Sequence, residues 1–346
     1  MILGFIKPQS PQRTQRGWFI PSLLIAPAGK NHFYIFPMLY YCLRKFCSFF
    51  CSLFIIATLT FFLMKLIPGD PFSEEQSMRN DMLDMLKHQH GLDRPILYQY
   101  FDYLDQLLHL KLGYSLKYPG RSVNQIIYDS FPISAQLGLQ AFIFALIFGV
   151  AFGTIAALKS HLWQDRLVLI LTSAGISIPG FILAALLQYC LAIYLPLFPL
   201  ARWGTFSQSI LPSIALAAAP LAFIARMTRS GLLDTMQKDY IKMAKAKGLP
   251  PHKWLRKHAL RNALLPVLSY LGPLLANVLV GSFIIEKIFS IPGLGQWFVN
   301  SVSNRDYSLI MGLTLFYSVI LLSAVFIIDL LYAVWDPRIR IVHEDS

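Results

Sequence analysis

Six stretches of the chain contain no Asp, Glu, Lys or Arg: 46–64, 133–158, 167–201, 204–225, 263–285 and 307–328. Each is long enough to cross a hydrocarbon layer about 30 Å thick as a helix rising ~1.5 Å per residue. Helices packed inside a water-soluble fold keep a charged face, and these runs have none. The pattern therefore predicts an all-α polytopic membrane protein with six transmembrane helices. Polar punctuation sets the boundaries: Leu66-Ile67-Pro68-Gly69-Asp70-Pro71 stops the first helix. In the polar segment that follows, Ile96, Leu97, Tyr100, Phe101, Leu104, Leu107 and Leu108 recur at helical spacing, with Asp102, Asp105 and Gln106 opposite them. That spacing predicts an amphipathic helix on or near the membrane surface. Gly149 and Gly153 in the second run are placed for close helix–helix approach, and Pro179 in the third predicts a kink. Polar side chains inside the runs are few. Gln136, Gln140, Gln188, Asn277 and Ser282 are the candidates for lining a translocation path, since such groups face a bundle interior or water.

The 30 Lys and Arg outnumber the 18 Asp and Glu, giving a net charge of +12. With the N-terminus on the cytoplasmic side, segments 1–45, 159–166, 226–262 and 333–346 hold 20 of the 30 basic residues and the outer segments hold 9. Lys65 remains, at a helix end from which it can snorkel. This asymmetry predicts that both termini are cytoplasmic. The basic charge is thus a topology signal, and the basic stripe with aromatic readers expected of a nucleic-acid surface is absent. Ionisable groups at mid-membrane, expected of a secondary transporter, are also lacking, because Lys65 and Asp329 lie at helix ends. A cleaved signal peptide fails on the length of the first apolar run and on the lack of a small-x-small site before Pro68.

Residues 1–37, rich in Pro, Lys and Arg, read as a disordered leader or a stretch preceding the true start at Met38. The remainder divides into 38–71 (first transmembrane helix and flanks), 72–131 (outer loop domain), 132–341 (five further helices with a cytoplasmic loop at 226–262) and a tail, 342–346. Cys42, Cys47, Cys51 and Cys190 have neither metal nor disulfide spacing and are expected to be small buried hydrophobes. His161, His252 and His258 lack partner acids or metal spacing, so no catalytic or metal site emerges. No Gly-x-x-x-x-Gly-Lys-Ser/Thr phosphate loop occurs in the chain.

The segment between the fourth and fifth runs carries the most specific signal. Asp239 is suited to cap the start of a short helix and Gly248 to end it in the left-handed conformation. Pro250-Pro251 then force a turn, with Pro251 fit for the first position of a second helix. Tyr240, Met243, Ala244 and Leu249 offer an apolar docking surface flanked by lysines. Spacing alone leaves a second reading open, a basic juxtamembrane loop that binds anionic lipid.

Tyr240, Ala244, Ala246, Lys247, Gly248, Leu249 and the run Leu260, Arg261, Asn262, Ala263, Leu264, Leu265 and Pro266 resemble the EAA loop of ABC importer permeases. The closer resemblance is to the dipeptide/oligopeptide/nickel branch and its B-type subunit. It extends to the Leu-Ile-Pro-Gly-Asp-Pro at 66–71, Gly91-Leu92-Asp93-Arg94-Pro95, Gln99-Tyr100, Leu112-Gly113-Tyr114-Ser115, Phe289, Pro292-Gly293-Leu294-Gly295, Arg305-Asp306-Tyr307 and Asp336-Pro337-Arg338-Ile339-Arg340. Lys242-Met243-Ala244 departs from Glu-Ala-Ala, which puts a salt bridge from a loop Glu to the ATPase in doubt, and Ser308 replaces a customary proline.

The resemblance implies the type I ABC importer permease fold and a multi-pass place in the bacterial cytoplasmic (inner) membrane. It implies a second homologous permease subunit, two cytoplasmic ATPase subunits that use ATP and Mg, and an extracytoplasmic peptide-binding protein. This chain would bind no cofactor, would not be an enzyme, and would receive the ATPase stroke on the loop. Peptides are the implied cargo, with nickel or glutathione as alternatives on the same machinery.

Overall fold

The computed structural model describes residues 35–66, 88, 91, 93–279 and 283–335. The leader apart from its last residues, the stop at 67–71, Ser282, the 336–340 motif and the 342–346 tail lie outside them. The chain divides into two compact units, Met1–Phe46 and Cys47–Ser346. What is described of the first unit is the opening of helix α1 (Ile35–Leu66).

In the second unit the described residues are helical apart from turns and one isolated bridge between Tyr114 and Ser122. After α1 come α2 (Ile96–Leu108), α3 (Val123–Leu158), α4 (Trp163–Ser177), α5 (Gly180–Leu187) and a π-helical extension, Gln188–Tyr194. Then follow α6 (Phe206–Met236), α7 (Asp239–Ala246), α8 (Pro251–Trp254), a π-helical turn at Leu255–Ala259, α9 (Leu260–Ala263) and α10 (Leu265–Leu279). The chain continues through α11 (Phe283–Ile288), α12 (Leu294–Ser303) and α13 (Tyr307–Trp335).

Among the described residues, five stretches are long and apolar enough to cross a membrane: Leu43–Leu66, Val123–Leu158, Phe206–Met236, Leu265–Ile288 and Tyr307–Leu330. The third predicted span is the exception. Its two halves, Trp163–Ser177 and Gly180–Tyr194, meet at 108°, so the break is far sharper than a proline kink. The cause is local. Ile178, the residue before proline, is extended (ψ 120°), and Pro179 has no N–H to continue the ladder.

Helix α3 is the central element, packed along α6 and also against α10, which in turn packs on α13. Small residues permit this closeness. A Cβ on Gly153 would lie 2.4 Å from the Ala225 carbonyl oxygen, and one on Gly149 2.8 Å from Ile224 Cβ, so the predicted glycine step does meet another helix backbone. Ala141, Ala145, Ala217, Ile224, Leu271, Val278 and Ile328 fill the core between these four helices.

The cysteine expectation is overturned: Cys47, Cys51 and Cys190 are exposed on the chain's own surface. Apolar side chains of a membrane helix face lipid or other subunits as readily as the interior, so an apolar setting does not imply burial within one chain. The Cys42 side chain lies outside the described set.

Two acidic residues organise the unit, and the sequence reading assigned neither a role. The Asp306 carboxylate is fully buried. It accepts from the Ser115 hydroxyl and from the backbone N–H groups of Leu116 (3.1 Å), Lys117 (3.4 Å) and Leu309 (3.1 Å). It thus caps the start of α13 while holding the loop after α2, joining two motifs that lie 191 positions apart. Glu286, also fully buried, accepts from Ser134 Oγ on α3 (2.8 Å) and from Gly295 N–H at the start of α12 (3.0 Å). A side chain at position 293 or 295 would collide with that carboxylate, which accounts for the glycines of Pro292-Gly293-Leu294-Gly295. Helix α2 docks on α1 through Tyr103, stacked on Phe61, and Tyr100, tilted against the same ring. Tyr100 and Thr58 share a hydroxyl hydrogen bond of 2.9 Å, and Lys65 donates to Gln99. Its Leu97, Phe101 and Leu108 remain exposed, as the amphipathic pattern predicts.

Candidate functional site

Helix α6 does not end with its apolar run at Ala225. It continues to Met236, eleven residues further, or about 16 Å. Arg226 and Arg229 lie on this extension and tie it to α4. Arg229 makes a two-pronged ion pair with Asp165 (2.7 and 2.8 Å), and Arg226 donates to Ser173 (2.7 Å). Asp165 is nearly inaccessible and also accepts from the His161 N–H (3.0 Å). Both forks and one backbone donor therefore satisfy the buried carboxylate.

A turn at Gln237-Lys238 leads into α7. The N-cap is Lys238, extended at φ −69° and ψ 145°, and not Asp239 as the sequence suggests. The Lys238 carbonyl accepts from the N–H groups of Ile241 (3.0 Å) and Lys242 (3.2 Å). Asp239 is instead the first helical residue, where its charge complements the helix dipole while its carboxylate pairs with Lys242 at 3.0 Å. Both partners are exposed, so that pair adds little stability.

The C-terminal end forms as the glycine predicts. Gly248 has φ +74°, its N–H reaches the Lys245 carbonyl (2.9 Å), and the Leu249 N–H reaches the Ala244 carbonyl (3.2 Å). These are the two bonds of a Schellman ending. Pro250 then caps α8 and Pro251 opens it.

Burial divides the helix into two faces. Ile241 and Ala244 point inward and pack with Trp254, Ala259, Ala263, Leu232 and Ala157 at the end of α3. Leu249 is half-buried against the same cluster, so Ala244 and Leu249 anchor the loop and leave the predicted docking surface. What remains outward is Tyr240, 42% exposed, and Met243, 56% exposed, with Ala246, Lys247 and Gly248 also exposed beyond them. The returning strand of helix braces this face: Asn262 Nδ2 donates to the Tyr240 hydroxyl (2.8 Å) and to the His258 carbonyl (3.2 Å). Lys245 lies 4.4 Å from the centre of the Trp254 ring, a cation–π contact that closes the turn. Arg261 and Pro266 are exposed, the latter near the start of α10. Trp254 and Ile241 are the anchors that sequence reasoning missed; the clue was an aromatic residue three positions after Pro251 in an otherwise basic stretch.

The lining candidates separate. Gln188 is occupied, donating to the carbonyls of Leu200 (2.7 Å) and Ile288 (3.4 Å) and so bracing the π-helical end of the broken span. Gln140 accepts from Ser213 Oγ (3.1 Å). Gln136 and Asn277 are exposed. Gln136, Gln140 and Asn277 all lie within two residues of the crossing where Gly138 meets the Val278 backbone.

Comparison with known proteins is consistent across the chain. Residues 149–341 match the model for "Binding-protein-dependent transport system inner membrane component", and 38–138 match the companion N-terminal model. The chain is 47% identical to the dipeptide transport system permease protein DppB of Bacillus subtilis, over 87% of this chain and 98% of that one. It is 43% identical to the oligopeptide transport system permease protein OppB of Escherichia coli K12, over 88% of this chain and all of that one. Among solved structures, a chain of the inward-facing methionine ABC transporter MetNI aligns with a TM-score of 0.46 at 18% identity, covering 62% of this chain and 95% of that one.

Proposed function

This chain belongs to the family of binding-protein-dependent transport system inner membrane components, and from that premise we propose that it forms half of a pathway for di- or oligopeptides and couples it to ATP hydrolysis on partner subunits. It is a multi-pass inner-membrane permease subunit of an ABC importer, acting with partner subunits. The proposed complement is a second homologous permease subunit, two cytoplasmic ATPases using ATP and Mg, and an extracytoplasmic binding protein. Both termini and the α7 loop then face the cytoplasm. The names of the relatives support peptides as cargo.

One observation carries the coupling reading. Helix α7 is fastened to the membrane core by Ile241, Ala244 and Trp254 on one face, while Tyr240 and Met243 stay bare on the other. A short helix fixed on its inner face and continuous through a tight turn with α6 passes a push on its outer face to the transmembrane bundle. An ATPase that closes can bias the bundle only if it contacts this face differently in its open and closed states. Gln136 and Asn277, exposed beside the α3–α10 crossing, fit a path between this subunit and its partner permease.

The cargo is tested by uptake. Cells lacking the gene should lose uptake of a labelled dipeptide or tripeptide and regain it from a plasmid copy, with nickel and glutathione uptake unchanged. Loss of nickel or glutathione uptake with peptide uptake intact would move the cargo to those alternatives.

A further inference from the structure

Beside the Schellman turn lies a shallow open cleft of about 380 Å³, lined by Leu249, His252, Lys253, Arg256, Lys257 and His258. Apart from Leu249, every lining side chain is a base or an imidazole. No Asp or Glu occurs between Asp239 and Glu286, so the local sequence supplies no counter-charge. Lys253, Arg256 and Lys257 are exposed and make no ion pair among the described residues, whereas Lys242 and Lys245 on the neighbouring helix are engaged by Asp239 and Trp254.

Most of the lining lies on the limb that leads from the turn back toward the apolar span. The chain is helical from Pro251 to Ala263 and enters the apolar span at Leu265. At ~1.5 Å per residue, Lys257 and Arg256 are about 12 and 14 Å along the helix from that span, and Lys253 about 18 Å. The headgroup layer is roughly 5–8 Å deep on each side of the hydrocarbon, and long basic side chains reach the remaining distance. Clustered bases just beyond a transmembrane helix are suited to anionic lipid, and a concave cluster is better suited than a flat one.

We propose that this cleft binds the phosphate headgroup of an anionic phospholipid in the leaflet adjoining the loop. The bound lipid pins the returning limb at the membrane surface. The side of the membrane rests on the topology proposed above; the binding itself does not.

The test uses the assembled transporter in nanodiscs of phosphatidylcholine containing a headgroup-photoreactive phosphatidylglycerol, with a photoreactive phosphatidylcholine in parallel. Nanodiscs expose both leaflets, so the result is independent of which way the loop faces. ATPase co-purification, measured on the same samples, reports separately on the coupling reading. The phosphatidylglycerol probe should label the peptide containing 249–258, and Lys253→Gln/Arg256→Gln/Lys257→Gln should lower that label tenfold or more, at roughly tenfold or less per charge removed. Arg256→Lys, which keeps the charge, should retain it, and Lys257→Gln alone should give a partial loss. Equal labelling by the phosphatidylcholine probe would overturn the proposal. Release of the label by inorganic phosphate would make the cleft a free-phosphate site and overturn the lipid source. Unchanged label with lost ATPase association would assign this surface to the ATPase instead.

Discussion

Asp306 shows how much one side chain can decide. Its carboxylate gathers three backbone N–H groups and a hydroxyl from segments that the sequence presents as unrelated motifs. Asp306→Ala removes a helix cap and leaves buried donors unpaired, a loss of about 2–4 kcal/mol. The expected result is a lower melting temperature of the purified complex and faster protease cleavage in 109–121, with α6 and α7 unaffected. Gly153→Val fails differently, since the methyls would enter the Ala225 carbonyl and Thr228. The α3–α6 contact would open, and the amount of assembled protein should fall several-fold on blots at unchanged transcript. Single residues were legible in the sequence where backbone conformation dictates identity, as at Gly248 and Pro251. They were not legible where the partner is remote. Nothing near Glu286 points to Ser134, 152 positions away, and an Asp serves a helix start equally well as cap or as first residue.

Among the elements, α4 and α6 form the firmest link between the loop and the broken span. The Asp165–Arg229 pair is buried on the Asp side and fully bonded. Asp165→Asn leaves a mostly buried guanidinium facing a neutral amide, with the partner's charge and one of its two acceptor oxygens gone, and should cost roughly 3 kcal/mol, at the lower end for buried pairs because Arg229 keeps some solvent access. Thermal unfolding of the detergent-purified complex measures this. The exchanged pair, Asp165→Arg with Arg229→Asp, should recover part of the loss, and no recovery would mean that the residues act separately. Charge-free runs gave the elements away because lipid tolerates no charged face, and helical period gave α2. The 108° break was not legible, since a proline marks where a helix stops and not where the next one points. Nor were the two faces of α7: in eight residues with so few apolar positions, only the neighbours Trp254 and Ala157 decide which side is inside.

At the scale of the whole molecule, the chain is one subunit of a larger machine, with a membrane core and a helical loop fastened to it. Its orientation is checked by cysteine labelling with an impermeant reagent. A probe at Ser303, exposed at the end of α12, should react in intact cells, and one at Lys253 should react only after lysis. Labelling of position 253 in intact cells would reverse the assignment of sides. The most direct test of the central claim, that α7 and its turn receive the ATPase stroke, is uptake per assembled complex in variants of Gly248. A side chain there meets nothing within 4 Å, so substitution acts through the φ of +74° alone. Gly248→Val should cost about 1–2 kcal/mol locally and redirect the turn, whereas Gly248→Asn tolerates the left-handed conformation. The account predicts that the Val variant inserts and assembles its membrane core normally, retains its ATPase weakly and loses peptide uptake, and that the Asn variant keeps most of both. Normal ATPase association together with normal uptake per complex in Gly248→Val would contradict it.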